Sequence, residues 1–133
     1  MSAPVKHHSE GFLAIVQDAK TRIHVIDIEE YKRLRAAGDA GQLVDVREDH
    51  EWEAAHAAGA IHLSKGVIER DIEKTFPDKN VKLVLYCGGG YRSALATDNV
   101  QKMGYTNVIS LEGGWRAIEA SGLPIERAET DSV

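Results

Sequence analysis

Cys87 is the only cysteine of the chain; three glycines follow it at 88–90, and Arg92 comes two residues later. Backbone N–H groups in a glycine-rich turn can converge on an anion, and the guanidinium of Arg92 adds a positive charge with a planar set of donors. The thiolate is the nucleophilic form of cysteine, and such surroundings favour it. These residues indicate a cysteine nucleophile in a cradle for an anion.

A lone cysteine can also be a small buried side chain of the core, which is a common environment for free cysteine. Glycine, however, costs conformational entropy unless the backbone needs unusual angles or a close approach. Three successive glycines between a cysteine and an arginine therefore favour a reactive thiolate over a packing role.

The cysteine turn lies between a predicted strand and a predicted helix. The apolar run 81–86 is typical of a buried strand. Ala96, Val100 and Met103 then fall at helical spacing, and Gly104 supplies a stop. The free N–H groups at the start of that helix and its macrodipole add to the anion cradle.

The same alternation of strand and helix runs through the chain. Asp27 is predicted to be the N-cap of one helix, with Glu30 at the capping-box position. Strands are predicted at 23–26, 42–46, 59–63, 81–86 and 107–110, and helices at 10–21, 28–38, 51–55, 66–76, 93–103 and after Gly114. This alternation predicts an α/β fold with a mostly parallel central sheet and helices on both faces.

Ligands of such sheets bind beyond the carboxyl ends of the strands. Arg47, the Cys87 turn and the turn Glu112–Gly114 each follow a predicted strand. We expect these three strand exits to meet at one site.

Length and composition set limits on the function. The chain has 133 residues with 43% hydrophobic and 28% charged, and a net charge of −5. One domain is expected, and nucleic acid or an anionic membrane is a disfavoured partner. No stretch reaches the roughly 20 apolar residues of a membrane span and no signal peptide is apparent, so a cytoplasmic protein is expected. A single cysteine excludes an internal disulfide and a thiolate zinc site, and no metal or cofactor is predicted.

We expect a tail and short helix at 1–22, a single domain at 23–127 and a second tail at 128–133. His7 and His8 are interpreted as part of a surface tail rather than as metal ligands.

Four segments, in this order, make the chain resemble the rhodanese superfamily, specifically a single-domain rhodanese-like sulfurtransferase. They are Val44–Glu48 with Glu51-Trp52, His56–Leu63, Cys87–Ser93, and Leu111–Trp115 with Gly122–Pro124. Ala55, Ala57 and Ala58 depart from the glycine, isoleucine and proline usual around His56. The resemblance implies a three-layer sandwich and transfer of sulfane sulfur through a persulfide on Cys87.

The resemblance also implies roles for the residues of the loop. The sulfur donor would be thiosulfate or a similar small anion, and the acceptor a thiol or cyanide. The residues expected to bind the donor are Gly88, Gly89, Gly90, Tyr91, Arg92 and Ser93, with Lys65 as a further candidate. Four residues separate Cys87 from Arg92, whereas related dual-specificity phosphatases have five, so the shorter loop favours sulfur over phosphate.

Other charged and aromatic residues are candidates for supporting positions. Asp45 and Arg47 are expected behind the site, where a carboxylate at a strand end can order neighbouring loops. Residues 64–70, which include Glu69 and Arg70, resemble a loop that borders the pocket in some relatives. Lys65 in this segment could therefore steer an anion towards the pocket. The equal alternative is that these charged residues form a solvent-exposed run without a role in binding. His56 and His62 are interpreted as hydrogen-bonding residues, and Trp52, Tyr91 and Trp115 as pocket or core residues.

Three alternatives to a sulfurtransferase remain open. The domain could be a carrier or regulatory module that receives sulfur from one protein partner, a phosphatase or arsenate reductase, or a thiol redox sensor. Both a monomer and a homodimer are compatible with the sequence.

Overall fold

The computed structural model describes residues 8–128. His7 and residues 129–133 of the predicted second tail lie outside this range. In chain order its elements are α1 (Glu10–Lys20), β1 (His24–Ile26), α2 (Ile28–Ala36), β2 (Gln42–Asp45), α3 (Asp49–Ala54), β3 (Ala55–Ala57), β4 (Ile61–His62), α4 (Ile68–Thr75), β5 (Leu83–Tyr86), α5 (Tyr91–Lys102), β6 (Val108–Leu111), α6 (Gly114–Ala120) and β7 (Ile125–Arg127). Over this range no helix is both long and apolar enough to cross a lipid bilayer.

The main sheet is parallel, as the alternating pattern predicts. Its five strands lie in the order β1-β6-β5-β2-β4. β5 is central, and all four of its residues are buried. A strand covered on both faces needs an apolar run rather than an alternating one, which explains the sequence Leu83–Tyr86.

Two apolar clusters lie on opposite faces of this sheet. One contains residues of α4 and α5, with Ile68, Ile72, Ala96 and Val100 against the strands. The other contains Tyr31 of α2 and Ile118 of α6. Helices thus cover both faces, which confirms the predicted three-layer α/β architecture.

α1 packs against α5. Val16 and Ala19 are the buried residues of α1, and Arg22, just beyond it, donates to both carboxylate oxygens of Asp98 at 3.0 and 2.8 Å. The boundary expected at residue 23 stays a prediction.

A second, two-stranded antiparallel sheet was not predicted. β3 pairs with β7, with Ala55 opposite Arg127 and Ala57 opposite Ile125. The prediction that helix 51–55 includes Ala55 is wrong, because α3 ends at Ala54. Alanine has little preference for strands, and three-residue strands far apart in the chain are held by the tertiary fold rather than by local pattern.

The helix starts are partly as predicted. Asp27 caps α2, since its Oδ1 accepts a hydrogen bond from the Glu30 amide at 2.8 Å. A reciprocal pair occurs instead at α3, where the Glu48 amide donates to Glu51 at 3.0 Å. α5 begins at Tyr91, two residues earlier than predicted, so Arg92 belongs to its first turn.

Candidate functional site

The turns after β5 and β6 are bound to each other by main-chain hydrogen bonds. The Trp115 amide donates to the Cys87 carbonyl at 2.7 Å, and the Arg116 amide donates to the Gly88 carbonyl at 3.3 Å. A Cβ on Gly114 would overlap the Cys87 carbonyl, and Gly114 has a φ of +47°. The start of α6 can therefore reach the cysteine turn only with glycine at this position.

Hydrogen-bonding groups face the sulfur of Cys87. The residue is 1% exposed, and its Sγ accepts a hydrogen bond from the Gly90 amide at 3.1 Å. Sγ also lies 3.6 Å from the hydroxyl of Ser93, which is 2.8 Å from the hydroxyl of Ser110 on β6. When the sulfur is anionic, the Ser93 hydroxyl can turn to donate to it while Ser110 donates to Ser93.

The start of α5 lies beside this sulfur. Gly90 is the N-cap residue, with a φ of +104° that a side chain would strain. The first amides of any helix have no intrahelical acceptor and carry the positive end of the macrodipole. The predicted cradle of Gly88 to Ser93 is thus built from a glycine turn that leads into a helix, and its binding of an anion stays a prediction.

Arg92 forms an ion pair at the same place. Its two terminal nitrogens donate to Glu51 of α3 at 2.8 and 3.2 Å. The hydrogen bonds from Arg92 hold the pKa of Glu51 at about 2, well below its ordinary value, and the same bonds raise the pKa of Arg92. The charge of the expected anion anchor is therefore compensated, and anchoring by Arg92 stays a prediction.

Cys87 lies at the floor of a cleft of about 500 Å³. The lining residues are His8, Phe12, Glu51, Cys87, Gly88, Gly89, Tyr91, Arg92, Trp115 and Arg116. Sequence reasoning missed His8, Phe12, Glu51 and Arg116 as site residues. Phe12 lies in the predicted helix 10–21, but no local signal shows which helix borders a site.

Asp45 and Arg47 form a buried pair behind the cleft. The Arg47 guanidinium donates to Asp45 at 2.8 Å and to the Ala55 carbonyl at 2.6 Å, and the Tyr86 hydroxyl donates to Asp45 at 2.6 Å. Burial raises the pKa of Tyr86, so its hydroxyl remains a donor. The guanidinium also lies 4.6 Å from the ring of Trp115, a wall of the cleft. The pair therefore contacts a wall of the cleft without lining the cleft, and its supporting role in the site stays a prediction.

The charged residues of the segment 65–70 do not line the cleft. The Lys65 amide donates to the Val46 carbonyl at 3.0 Å, Glu69 accepts from Asn99 at 2.9 Å, and Arg70 is bound to its neighbour Asp71 at 2.8 Å. Steering of an anion by Lys65 stays a prediction that no contact at the cleft supports.

Trp52 lies between two histidines instead of lining the cleft. Its ring stacks on His56 with centroids 3.4 Å apart and on His62 at 4.9 Å. His56 Nδ1 donates to the Trp52 carbonyl at 2.9 Å, and His62 Nε2 donates to the Arg47 carbonyl at 2.8 Å. Both histidines are thus hydrogen-bonded, as expected. Across residues 8–128 no group of three His, Cys, Asp or Glu residues is arranged to hold a metal ion.

A comparison with known protein families finds one whose model matches most of the chain. The model of the Rhodanese-like domain matches residues 27–121. The chain is 33% identical over 70 residues to thiosulfate sulfurtransferase PspE of Escherichia coli, covering 53% of this chain and 67% of that protein. It spans between 28% and 66% of the length of the first curated relatives that it matches.

Two solved structures are similar over most of the chain. The polysulfide-sulfur transferase homodimer of Wolinella succinogenes has a TM-score of 0.74 and 25% identity, covering 92% of both chains. A protein of unknown function from Rhodopseudomonas palustris, described as a possible tyrosine phosphatase, has a TM-score of 0.77 and 28% identity, covering 93% of this chain and all of that one.

Proposed function

The chain belongs to the Rhodanese-like domain family, and we propose that it is a sulfurtransferase in which Cys87 carries the transferred sulfur as a persulfide. Relatives named for sulfur transfer support this general activity. The observation that carries the proposal is the surroundings of Cys87 Sγ, which accepts a hydrogen bond from the Gly90 amide at the floor of the cleft.

The proposed reaction is a double displacement. The Cys87 thiolate attacks the sulfane sulfur of thiosulfate, the bond between the two sulfurs of the donor breaks, and sulfite leaves with the electron pair. The enzyme then holds an anionic persulfide. A thiolate or cyanide attacks the terminal sulfur, and the Cys87 thiolate is released as the leaving group. Because the chain has no second cysteine, the acceptor must be another molecule.

The site favours a reaction that delivers one small atom to the thiol. Cys87 is only 1% exposed, so a terminal sulfur reaches Sγ more readily than a bulky group. In the persulfide, negative charge lies on the outer sulfur, where the amides at the start of α5 can stabilise it.

The test is mass spectrometry of the intact chain after incubation with thiosulfate. Wild type should gain the mass of one sulfur atom and lose it on addition of cyanide, and Cys87→Ser should gain nothing. If wild type gains no sulfur, or if Cys87→Ser gains as much, the proposal is wrong.

Activity assays on the same protein samples distinguish the sulfurtransferase from two rival functions. A carrier module would form the persulfide but turn over poorly with thiosulfate and cyanide. A phosphatase, the activity suggested for the similar protein from Rhodopseudomonas palustris, would hydrolyse p-nitrophenyl phosphate. The loop with four residues between Cys87 and Arg92 disfavours the phosphatase.

A further inference from the structure

One histidine of the cleft has no part in the reaction proposed above. The ring of His8 lies 4.5 Å from that of Tyr91 and 5.2 Å from that of Phe12, and all three residues line the cleft that contains Cys87. The Tyr91 ring in turn lies against the glycine turn, since a Cβ on Gly89 would be 3.7 Å from Tyr91 Cε2. His8 is therefore one ring away from the turn that follows the cysteine.

The nitrogens of the His8 ring are available for proton transfer. Among residues 8–128, the hydrogen bonds of histidine rings are those of His56 and His62. His8 also forms no ion pair within this range. Lys20 is a charged group near the same rings, with Nζ 5.7 Å from the centre of the Tyr91 ring. The imidazole can thus accept a proton without losing a hydrogen bond to the described part of the chain.

Apart from the reacting cysteine, the other ionisable residues that line the cleft are poor bases at neutral pH. Glu51 has a pKa of about 2 because it accepts hydrogen bonds from Arg92. Arginine and tyrosine side chains such as Arg116 and Tyr91 keep their protons at pH 7. Histidine is the side chain that takes up and releases a proton in this range. Among the lining residues within 8–128, His8 is therefore the one suited to proton transfer.

The second half of the proposed reaction needs such a group when the acceptor is a thiol. The thiolate is the nucleophile, but a cysteine thiol with a pKa of about 8.5 is only about 3% ionised at pH 7. Because Cys87 is 1% exposed, the acceptor must enter the cleft to reach a sulfur carried by this residue. A base that lines the cleft would generate the thiolate at the place where it reacts.

We propose that His8 is the general base that removes the proton of the acceptor thiol R–SH. This proposal rests on the sulfurtransferase function proposed above. The thiolate R–S⁻ attacks the outer sulfur of Cys87–S–S⁻, the sulfur–sulfur bond of the enzyme breaks, and its electron pair returns to Cys87. The product R–S–S⁻ takes the proton back from His8 and leaves as R–S–SH, so the step requires no oxidant or reductant.

The test measures discharge of the persulfide in a single turnover of the full chain. The protein is loaded with thiosulfate, freed of the donor, and mixed with glutathione, which is a thiol, or with sulfite, an anionic acceptor that needs no base. Loss of one sulfur atom from the protein is followed by mass spectrometry at pH 7 and pH 9.5. The variants are His8→Gln and His8→Phe. His24→Gln is the matched control, because His24 is exposed on β1 and does not line the cleft.

His8→Gln should slow discharge to glutathione about five- to thirtyfold at pH 7, because the thiolate then comes only from the fraction of acceptor that is already ionised. At pH 9.5, where the thiol ionises unaided, and with sulfite at either pH, the change should be less than about twofold. His8→Phe keeps a ring against Tyr91 and Phe12 but has no base, so it should be as slow as His8→Gln. His24→Gln should match wild type.

The outcomes distinguish this proposal from the one on which it rests. If thiosulfate does not load wild type, or if no acceptor discharges it, the sulfurtransferase is wrong and the role of His8 falls with it. If wild type loads and discharges, but His8→Gln is as fast as wild type with glutathione or is slowed equally with sulfite, only the role of His8 is wrong. Discharge of His8→Phe at the wild-type rate would likewise show that the ring acts by packing and not by proton transfer.

Discussion

Replacement of Glu51 by glutamine tests the electrostatics of the cleft. The substitution keeps the shape and one acceptor of the side chain but removes the charge that compensates Arg92. It should therefore have two opposite effects: a less stable fold, and tighter binding of an anionic donor.

The loss of stability follows from the pKa of Glu51. Its fall from 4.5 to about 2 through the hydrogen bonds of Arg92 corresponds to about 3.4 kcal/mol at about 1.36 kcal/mol for each pH unit. The two side chains remain 31% and 27% exposed, so screening by solvent reduces this to about 1–2 kcal/mol. Because the pKa is lowered in the folded state, the stabilisation is complete above pH 4.5 and disappears as the pH falls towards 2.

Urea denaturation measures this effect. At pH 7 the midpoint of Glu51→Gln should lie about 1 M below that of wild type, for a urea dependence of about 1–2 kcal/mol/M. Less than about half of the difference should remain at pH 3. Glu53→Gln is the matched control, because Glu53 is an exposed carboxylate on the same helix that does not line the cleft.

The effect on the donor has the opposite sign. With Arg92 uncompensated, KM for thiosulfate should fall about two- to fivefold, which corresponds to about 0.5–1 kcal/mol for a partly exposed charge. A rise in KM would refute this reasoning, because it would mean that Glu51 acts mainly by orienting Arg92. An unchanged urea midpoint would refute the account of stability.

Three further substitutions have defined outcomes. Asp45→Asn leaves the buried Arg47 charge unpaired, so urea denaturation should show a loss of about 3–5 kcal/mol. Gly114→Ala pushes a Cβ into the Cys87 carbonyl, and steady-state kinetics should show sulfur transfer slowed about 10- to 100-fold through misplacement of the thiol. Thr97→Val removes a buried hydroxyl without a partner in residues 8–128, and thermal unfolding should show stability unchanged or raised by up to about 1 kcal/mol.

The sheet and the cysteine turn could be predicted because their signals are local. Apolar runs of four to six residues mark the central strands, and the glycines after Cys87 mark a turn of unusual backbone geometry. The main sheet confirms the predicted strand alternation, although β4 covers only Ile61–His62 of the expected strand 59–63.

The walls of the cleft could not be predicted, because they depend on contacts between distant segments. Glu51 and Arg92 lie 41 residues apart in the chain, and Phe12 meets Tyr91 only because α1 packs against α5. Neither residue type nor spacing gives the direction in which an amphipathic helix docks. The same limit applies to β3 and β7, whose pairing leaves no alternating pattern in their sequences.

The Arg92–Glu51 pair also bears on which groups would hold the outer sulfur of the proposed Cys87 persulfide. A fully compensated guanidinium attracts an anion only weakly, so under the proposed function the larger share of the stabilisation would fall to backbone amides such as that of Gly90, which are dipoles without net charge. Amides are fixed by the backbone, and here Gly90 and Gly114 fix it through positive φ angles and the close approach of α6. Sulfur binding should therefore depend more on the shape of this turn than on ionic strength, since salt screens charges far more than it screens short hydrogen bonds.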